Sequence, residues 1–277
     1  MHYRGRIAPS PTGYLHLGHA ITFWCAQERA RERGGRLILR IEDLDPQRCR
    51  PEFTEAIAQD LRWFGLRWDE GPDVGGPFAP YLQSARRALH VKVWERLHAG
   101  GFIYPCICSR RDVLQAAGAP HGESDEPIYP GTCRPPRGSR TRMDGRQGVH
   151  WRFRVPDGEV LRFVDGKFGA QSATAGKEFG DFLVWRKDDV PAYQLAVVAD
   201  DAAMEISEVV RGADLLVSTF RQLLLYRALQ YRVPDFHHTP LLTDSLGHRL
   251  AKRDAALALR ALRAAGKSPE ELRRAQI

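Results

Sequence analysis

The chain has 277 residues, of which 43% are hydrophobic and 27% charged, with a net charge of +7 and a pI near 9.3. This length suffices for one large α/β domain or two modest ones, and the composition excludes a disordered or fibrous protein. No stretch approaches the ~18 apolar residues of a membrane span, and the first residues lack a secretory signal, so we expect a cytoplasmic protein. The basic charge gives weak support for a polyanionic partner such as nucleic acid.

The first forty residues predict a strand, a helix and a second strand that form a βαβ unit. The first strand spans residues 4–8 and is followed by a breaker-rich turn at 9–13. A helix is expected over residues 18–33, and a glycine pair separates it from an apolar strand at 36–41. Because such a unit gives a parallel sheet, ligands are expected beyond the carboxyl ends of its strands.

The later elements are less regular. Amphipathic helices are predicted near residues 51–64 and 85–99, and a segment rich in Gly, Pro, Arg and Cys at 106–146 indicates an insertion. Residues 149–155 and 160–164 alternate like the two strands of a hairpin. The remaining predictions are strands at 181–185 and 206–210, a helix at 219–231 and a helical C-terminal segment at 254–276.

The motif His16-Leu17-Gly18-His19 falls where the first strand gives way to the first helix. Free backbone N–H groups and the helix dipole favour a phosphate there, Gly18 permits close approach, and both imidazoles can face the phosphate. A histidine pair on a helix is more often a surface or core feature. Its placement behind a strand and the Pro-Ser-Pro-Thr-Gly turn nevertheless favours a phosphate site.

The segment Arg40-Ile41-Glu42-Asp43-Leu44-Asp45 follows the second predicted strand. Glu42 lies where a parallel sheet presents residues to its ligand and can bind an ammonium group, whereas Asp45 can cap the next helix or turn. The alternative is three carboxylates in a solvated turn. The position at a strand's carboxyl end makes the two interpretations about equal.

Three of the five cysteines, Cys106, Cys108 and Cys133, lie in the irregular segment. An odd number of cysteines argues against a disulfide framework, and a Pro- and Gly-rich insertion gains stability from a tetrahedral zinc ion. The alternative is three reduced thiols. Zinc needs a fourth ligand, and residue chemistry favours a histidine. The candidates are Tyr129, His121, Glu123 and Asp125.

A basic loop with the sequence GHRLAKR occupies residues 247–253. Lys252 in this loop can close on a triphosphate and stabilise the charge that develops as pyrophosphate leaves. Basic loops are more often simply solvated, so this assignment depends on the other motifs.

Together these segments resemble the class I glutamyl-tRNA synthetase family. RIAPSPTGYLHLGH is similar to its HIGH motif, RIEDLDP to the segment after its second strand, and VVRGADLL to a late strand and turn. The matches run in order from Arg6 to about Lys252. The likeness is greatest to a short paralogue without anticodon-binding domains that glutamylates queuosine in tRNA(Asp), because this chain stops about two dozen residues after the KMSKS-like loop.

The resemblance implies an α/β fold: a parallel-sheet, HUP-like nucleotide-binding domain with a zinc-binding insertion and a C-terminal helical segment. It also implies ATP with Mg²⁺, L-glutamate and queuosine-carrying tRNA(Asp) as partners, one structural Zn²⁺ and a monomer. The expected division is residues 1–104 for the first half of the catalytic domain, 105–146 for the zinc-binding insertion, 147–235 for the rest of the insertion and the second catalytic half, and 236–277 for the KMSKS-like loop and C-terminal helices.

The resemblance further assigns roles to individual residues, and an arginine fork suits the carboxylates of glutamate because it makes two parallel hydrogen bonds. The expected glutamate-binding residues are Arg6, Ile7, Ala8, Pro9, Ser10, Glu42, Tyr193 and Arg211. The expected ATP-binding residues are His16, Gly18, His19 and Lys252, and all of these except the glycine are expected to be catalytic. The expected zinc ligands are Cys106, Cys108, Tyr129 and Cys133, which replaces the chemical preference for His121. The KMSKS-like loop departs from the family by having Ala251 where serine is common.

The implied reaction is activation of glutamate to glutamyl-adenylate, followed by transfer to the cyclopentenediol of queuosine. One alternative is a truncated glutamyl-tRNA synthetase that charges the tRNA 3′ end. A second is a nucleotidyltransferase that shares only the HxGH helix start. A third is a zinc-stabilised tRNA-binding protein without catalysis.

Overall fold

A computed structural model of the chain describes residues 2–116, 127–136, 138–139, 145–242 and 257–274. The helices and strands in chain order are β1 (Arg4–Ile7), α1 (Leu17–Glu32), β2 (Arg36–Leu39), α2 (Pro51–Phe64), α3 (Arg87–Ala99), β3 (Ile103–Cys106), α4 (Arg110–Ala116), β4 (His150–Phe153), β5 (Val160–Asp165), β6 (Gly169–Thr174), β7 (Phe182–Trp185), α5 (Tyr193–Ala203), β8 (Glu208–Gly212), α6 (Leu216–Leu229), β9 (Asp235–Thr239), α7 (Leu259–Ala264) and α8 (Pro269–Arg274).

These elements divide into two compact units. The first unit comprises Met1–Arg86, Met204–Leu215 and Pro234–Ile277, and the second comprises Arg87–Ala203 and Leu216–Val233. The first unit therefore contains the N-terminal βαβ segment together with β8, β9 and the C-terminal helices. The division of the chain into catalytic halves and a zinc-binding insertion stays a prediction about function.

Parallel strands form the centre of the first unit. β1 pairs with β2 in parallel, with Ile7 opposite Leu39, and β8 pairs with β9 in parallel, with Gly212 opposite Thr239. β8 lies beside β1, because the Arg4 N–H donates to Ser207 Oγ at 2.8 Å and the Ser207 N–H donates to the Arg4 carbonyl at 2.9 Å. The predicted βαβ unit is thus confirmed, and a second pair of parallel strands lies beside it.

Helix α1 covers this sheet through residues spaced three and four apart, as an amphipathic helix requires. It ends at Glu32, and the turn that follows contains Gly34, whose φ of +56° suits glycine. A Cβ on Gly35 would lie 2.6 Å from atoms of Tyr3, so only glycine lets the chain turn closely past β1. The buried residues of α1 are Leu17, Ala20, Phe23, Ala26, Gln27 and Ala30.

Helix α2 has the bounds that the sequence predicts. Pro51 begins it, where a missing N–H costs nothing, and Gly65 ends it in the left-handed conformation with φ of +98°. The C-terminal helices α7 and α8 pack on the same core through Leu259 and Leu272. The guanidinium of Arg273 lies 4.2 Å from the ring centroid of Trp24, which fixes α8 against α1.

The second unit contains an antiparallel sheet in the order β3-β4-β7 and a β5–β6 hairpin. The predicted hairpin between residues 149–155 and 160–164 is wrong. β4 is the central, buried strand of its sheet, and both of its edges are already paired, so the exposed strand β5 pairs with β6 instead. The alternation in both segments was correct for strands but carried no information about partners.

Five elements were not predicted from the sequence: β3, α4, β6, α5 and β9. Helix α4 lies inside the segment interpreted as irregular, and a reciprocal capping box begins it. The Ser109 N–H donates to Asp112 Oδ2 at 2.7 Å, and the Asp112 N–H donates to Ser109 Oγ at 3.2 Å. The Ser-x-x-Asp spacing was a local signal for this helix.

Candidate active site

The carboxyl ends of the parallel strands gather the polar motifs of the first unit at one edge. β1 leads into the Pro-Ser-Pro-Thr-Gly turn, β2 leads into the Arg40–Asp45 segment, and β8 ends beside Arg211. The first two segments are joined directly, because the Glu42 N–H donates to the Pro9 carbonyl at 2.9 Å. Open parallel sheets bind ligands at this edge, so the arrangement is that of a ligand site.

The HxGH motif forms the first turn of α1. His16 is the N-cap residue with extended backbone, and its carbonyl accepts the first helical hydrogen bonds, from the N–H groups of His19 and Ala20 at 3.1 and 3.2 Å. The imidazoles of His16 and His19 have ring centroids 6.5 Å apart. A Cβ on Gly18 would meet only Leu242, at an ordinary 3.8 Å. The protein packing alone therefore does not require glycine at this position.

The chain on either side of the KMSKS-like loop lies beside this helix start. Leu242 packs near Gly18, and on the far side Ala258 forms a β-bridge with His16. The Leu259 N–H also donates to the Leu15 carbonyl at 2.8 Å. The loop itself, including Ala251 and Lys252, lies outside the described residues. Its two described flanks are nevertheless held at the mouth of α1.

Two buried arginines come from neighbouring strands. Arg6 on β1 is 4% exposed, and its Nη1 donates to the Val210 carbonyl at 3.0 Å. Arg211 on β8 is 5% exposed, and its Nε donates to Nε2 of His238 at 3.1 Å. Since both guanidinium groups are largely withdrawn from water, an anion that reaches them is bound in a region of low dielectric.

The carboxylates after β2 have different surroundings. Glu42 is 9% exposed at its side chain, and Oε1 accepts from Nη2 of the fully buried Arg40 at 3.0 Å. Asp43 accepts from the N–H and hydroxyl of Ser84 at 2.8 and 2.6 Å. Asp45 accepts from the Gln47 N–H at 3.1 Å and so organises a turn, as one of its two interpretations predicted. The Glu42 side chain is less exposed than that of Asp45, of which 19% is exposed.

The remaining residues expected to contact glutamate occupy varied positions. Ile7 and Pro9 are buried, Ala8 is partly buried, and Ser10 is exposed in the turn after β1. Tyr193 belongs to the second unit, where it is the first residue of α5 and is 39% exposed. The structure thus brings most of these residues to the strand-end edge of the first unit.

The second unit contains the cysteine cluster. The Sγ atoms of Cys106, Cys108 and Cys133 all lie within 4.8 Å of one another. Tyr129 Oη lies 3.4 Å from Cys106 Sγ and 3.5 Å from Cys108 Sγ, and the Cys108 and Cys133 sulfurs are 3.6 Å apart. The phenol oxygen of Tyr129 therefore completes a set of four donors, whereas His121, Glu123 and Asp125 lie outside the described residues.

This donor set fits a tetrahedral metal ion. Zinc–sulfur bonds of about 2.3 Å place two sulfurs of a tetrahedron roughly 3.8 Å apart, and a zinc–oxygen edge is slightly shorter. The distances between Tyr129 Oη and the sulfurs of Cys106 and Cys108 agree with this geometry. The cluster could hold a metal ion without rearrangement of the chain.

The ionisation of these donors is uneven. Burial alone would raise the pKa of Cys133, but hydrogen bonds with Tyr129, the Ile107 backbone and the other two thiols lower it to about 7. Burial, together with hydrogen bonds to the thiols, raises the pKa of Tyr129 far above its usual value. The Cys133 thiol thus loses its proton more readily than a free thiol, and the charge of a bound metal ion would favour the deprotonated form of the donors.

Three partners of the predicted residues were not found from the sequence: Arg40, His238 and Arg152. Arg40 could have been found, because residues two apart in extended chain share a face, which places it beside Glu42. His238 pairs with Arg211 through the β8–β9 register, and Arg152 contacts the cysteine cluster from β4. The sequence gives no local sign of these two longer-range contacts.

The comparisons with known proteins identify the family of the chain. The family model described as "tRNA synthetases class I (E and Q), catalytic domain" matches residues 2–276. The chain belongs to this family. A curated relative, the glutamyl-Q tRNA(Asp) synthetase of Nitratidesulfovibrio vulgaris, is 52% identical over 267 residues, which cover 95% of this chain and 82% of that protein.

Other class I synthetases match over a smaller share of their length. The glutamate–tRNA ligase of Symbiobacterium thermophilum is 41% identical over 281 residues, covering 98% of this chain and 57% of that protein. The crystal structure of glutamate–tRNA synthetase from Elizabethkingia anophelis has a TM-score of 0.80 and 32% identity, covering 92% of this chain and 53% of that one.

As a class I tRNA synthetase catalytic domain, the chain is a synthetase-like ligase, and the predicted α/β fold with a parallel sheet is confirmed. None of the helices in the described part of the chain combines the length and hydropathy that a bilayer crossing needs.

Proposed function

We propose that the chain activates L-glutamate with ATP and transfers the glutamyl group to queuosine in the anticodon loop of tRNA(Asp). The observation that carries this proposal is the gathering of Arg6, Glu42 and Arg211 at the strand-end edge of a class I synthetase fold. Identity supports the queuosine acceptor, since the relative named glutamyl-Q tRNA(Asp) synthetase is 52% identical over the aligned residues and the glutamate–tRNA ligase is 41% identical.

The amino-acid pocket follows from charge complementarity. Glutamate has two carboxylates and one ammonium group, and the buried guanidinium groups of Arg6 and Arg211 supply two cationic partners. The carboxylate of Glu42, held by Arg40, offers acceptor positions for the ammonium group. Residues 7–10 would line the pocket with backbone atoms. The assignment of Tyr193 to glutamate stays a prediction of the family resemblance.

The ATP site is proposed at the mouth of α1. The free N–H groups of the first turn and the helix dipole attract phosphate oxygens, while Gly18 leaves room for them and His16 and His19 flank them. Lys252 would approach from the KMSKS-like loop, whose described flanks lie beside this turn. Mg²⁺ that accompanies ATP would neutralise part of the phosphate charge.

The reaction has two balanced steps. A carboxylate oxygen of glutamate attacks the α-phosphorus of ATP, a P–O bond forms, and pyrophosphate leaves with the electrons of the broken bond. A hydroxyl of the acceptor then attacks the acyl carbon of the adenylate, loses its proton and displaces AMP. The chain contributes mainly by holding the reactants in line and by stabilising charge on the departing pyrophosphate with His16, His19 and Lys252.

In the second unit we propose one structural zinc ion, bound by Cys106, Cys108, Tyr129 and Cys133. The donor distances described above support this ligand set. The ion would supply cohesion to a segment with a small core.

The deciding experiment supplies radiolabelled glutamate, ATP and tRNA(Asp) with or without queuosine, and then locates the label by nuclease digestion. We expect the label only on queuosine-containing tRNA, in the anticodon stem-loop. Periodate oxidation of the cyclopentenediol before the reaction should abolish this labelling. Label at the 3′ end would instead support a truncated glutamyl-tRNA synthetase.

A parallel assay separates the remaining alternatives. Glutamate-dependent exchange of pyrophosphate into ATP without tRNA is expected from an enzyme that forms glutamyl-adenylate. A nucleotidyltransferase would show no dependence on glutamate, and a tRNA-binding protein without catalysis would bind tRNA but consume no ATP.

A further inference from the structure

A buried arginine lies directly behind the cysteine cluster. Arg152 is 6% exposed, and its Nε donates to Cys106 Sγ at 3.3 Å. Its guanidinium carbon lies 3.9 Å from the ring centroid of Tyr129, and Nη1 donates to the Asp181 carbonyl at 3.2 Å. One guanidinium group thus contacts two of the four proposed zinc ligands.

The sheet explains how Arg152 reaches this position. It lies on the central strand β4, opposite Tyr104 of β3, and Cys106 is two residues further along β3. Diagonal neighbours on adjacent strands are within reach of a long side chain. The pairing of β3 with β4 therefore places the Arg152 guanidinium beside Cys106 Sγ without the help of a metal ion.

The proposed ligand set carries more negative charge than one zinc ion can balance. Three thiolates and one phenolate bring four negative charges to a dication, which leaves two negative charges in a largely buried site. Unbalanced charge is costly to bury unless it is paired and hydrogen-bonded. Arginine remains protonated at all ordinary pH values, so it is a permanent counter-charge.

Carboxylates do not compete for this counter-charge. Among the residues that the structure describes, the acceptors of Arg152 are the Cys106 sulfur and a backbone carbonyl. The nearby carboxylate of Asp181 is held instead by Arg134 at 3.0 Å and by the hydroxyl of Tyr104 at 2.5 Å. The charge of Arg152 is thus directed to the ligand set.

We propose that Arg152 is a positioning residue of the metal centre, which offsets the excess negative charge of the ligands and orients Cys106 and Tyr129. This inference rests on the proposed zinc site. Groups that contact metal ligands commonly change metal affinity 10- to 100-fold when they are removed. Arg152 acts through the ligands and does not touch the metal itself.

The test measures zinc affinity of the whole chain by competition with a chromophoric chelator. The variants are Arg152→Gln, which removes the charge, and Arg152→Lys, which keeps the charge but loses the planar fork. Arg152→Gln is also made in a Cys133→His background, where a neutral imidazole replaces one anionic ligand. Arg227→Gln is the matched control, because that arginine pairs with Glu159 on the surface of the same unit.

We expect Arg152→Gln to weaken zinc binding about 10- to 100-fold, Arg152→Lys to weaken it less, and Arg227→Gln to leave it within about twofold. In the Cys133→His background the loss should shrink to about threefold or less, because one negative charge has already been removed. The absorption spectrum of the cobalt-substituted chain reports whether the coordination stays tetrahedral in each variant.

A purely structural role would give the same loss in both backgrounds, and that result would overturn the proposal. Unchanged affinity in Arg152→Gln would also overturn it. A wild-type chain that binds no zinc would remove both the metal centre and the role of Arg152, whereas glutamate-dependent pyrophosphate exchange would still test the proposed reaction separately. Circular dichroism of each variant shows whether the fold is retained.

Discussion

The strand-end edge of the first unit and the cysteine cluster of the second bring polar side chains together in different ways. Arg6, Glu42 and Arg211 project from or just beyond three strands, so sheet hydrogen bonds fix their spacing without a ligand. Of the four proposed zinc ligands, only Cys106 lies in a strand, and the buried cluster has just five residues, three of which are ligands themselves. The first site is preorganised by the backbone, whereas the second depends on what its ligands bind.

The largest effect should follow from Arg211→Ala. Loss of two charge-assisted hydrogen bonds to a carboxylate is worth about 4 kcal/mol, so glutamate-dependent pyrophosphate exchange should fall roughly a thousandfold. ATP binding, measured by equilibrium dialysis, should change little, and Arg211→Lys should lose less activity because it keeps the charge. Undiminished pyrophosphate exchange in the alanine variant would refute the assignment of Arg211 to the glutamate pocket.

The second effect concerns the metal-dependent site. If zinc binding contributes about 10–16 kcal/mol through four ligands, Cys108→Ser should lose about a quarter of it and weaken zinc affinity several hundredfold. Because the first unit holds its site by backbone pairing, pyrophosphate exchange should stay within about threefold. Cys49→Ser, which changes a thiol of the first unit, is the control and should bind zinc normally. If Cys108→Ser lost pyrophosphate exchange activity together with zinc affinity, the strand-end site would also depend on the metal ion, contrary to this prediction.

A third prediction tests whether side chains also hold β8 in place. Glu208 is buried and accepts from Arg29 Nε at 2.7 Å, Arg29 Nη2 at 2.6 Å and the Tyr3 hydroxyl at 2.7 Å. Because Arg29 is partly exposed and can turn to water, Glu208→Gln should cost about 2 kcal/mol of unfolding free energy at pH 7, less than for a fully buried pair. Denaturant unfolding measures this difference.

The pH dependence of that difference follows from the pKa of Glu208. Burial alone would raise this pKa, but hydrogen bonds from Arg29 and Tyr3 and the charges of Arg29 and Arg33 hold it below its usual value. A lowered folded-state pKa stabilises the protein above the unfolded pKa of about 4.3, and the contribution disappears as pH falls through the folded value. The wild type and the glutamine variant should therefore converge in acid, and a constant difference would exclude the ion pair as the cause.

The same contrast explains what the sequence predicted. Periodicity, the glycine pair after α1 and Pro51 at the start of α2 are local signals, and they gave the βαβ unit and the bounds of α2 correctly. The motifs at the strand ends were visible because a parallel sheet fixes where its ligands bind. Local sequence signals were therefore sufficient to predict where these elements and motifs lie in the first unit.

Tertiary partners were the part that could not be predicted. The segments at β4 and β5 both alternate, yet β4 pairs with β3 and β7, and only long-range packing decides this. The contact of Arg152 with Cys106 depends on the same pairing. Choosing Tyr129 over His121 as a ligand needed the family resemblance, since residue chemistry alone favoured the histidine.

The smallest expected effect tests whether ATP or the protein's own packing requires glycine at position 18, in the strand-end site. A methyl group on Gly18 would meet Leu242 at an ordinary 3.8 Å, so Gly18→Ala should keep the melting temperature or raise it slightly, as alanine favours helix more than glycine does. If a phosphate approaches this turn closely, the methyl group should raise the KM for ATP about tenfold, near 1.4 kcal/mol, and leave the KM for glutamate unchanged. Gly145→Ala, in the second unit with no atom within 4 Å of its Cβ, should alter neither constant. An unchanged KM for ATP would mean that ATP does not closely approach this glycine. A lower melting temperature would mean instead that packing at the helix start requires glycine.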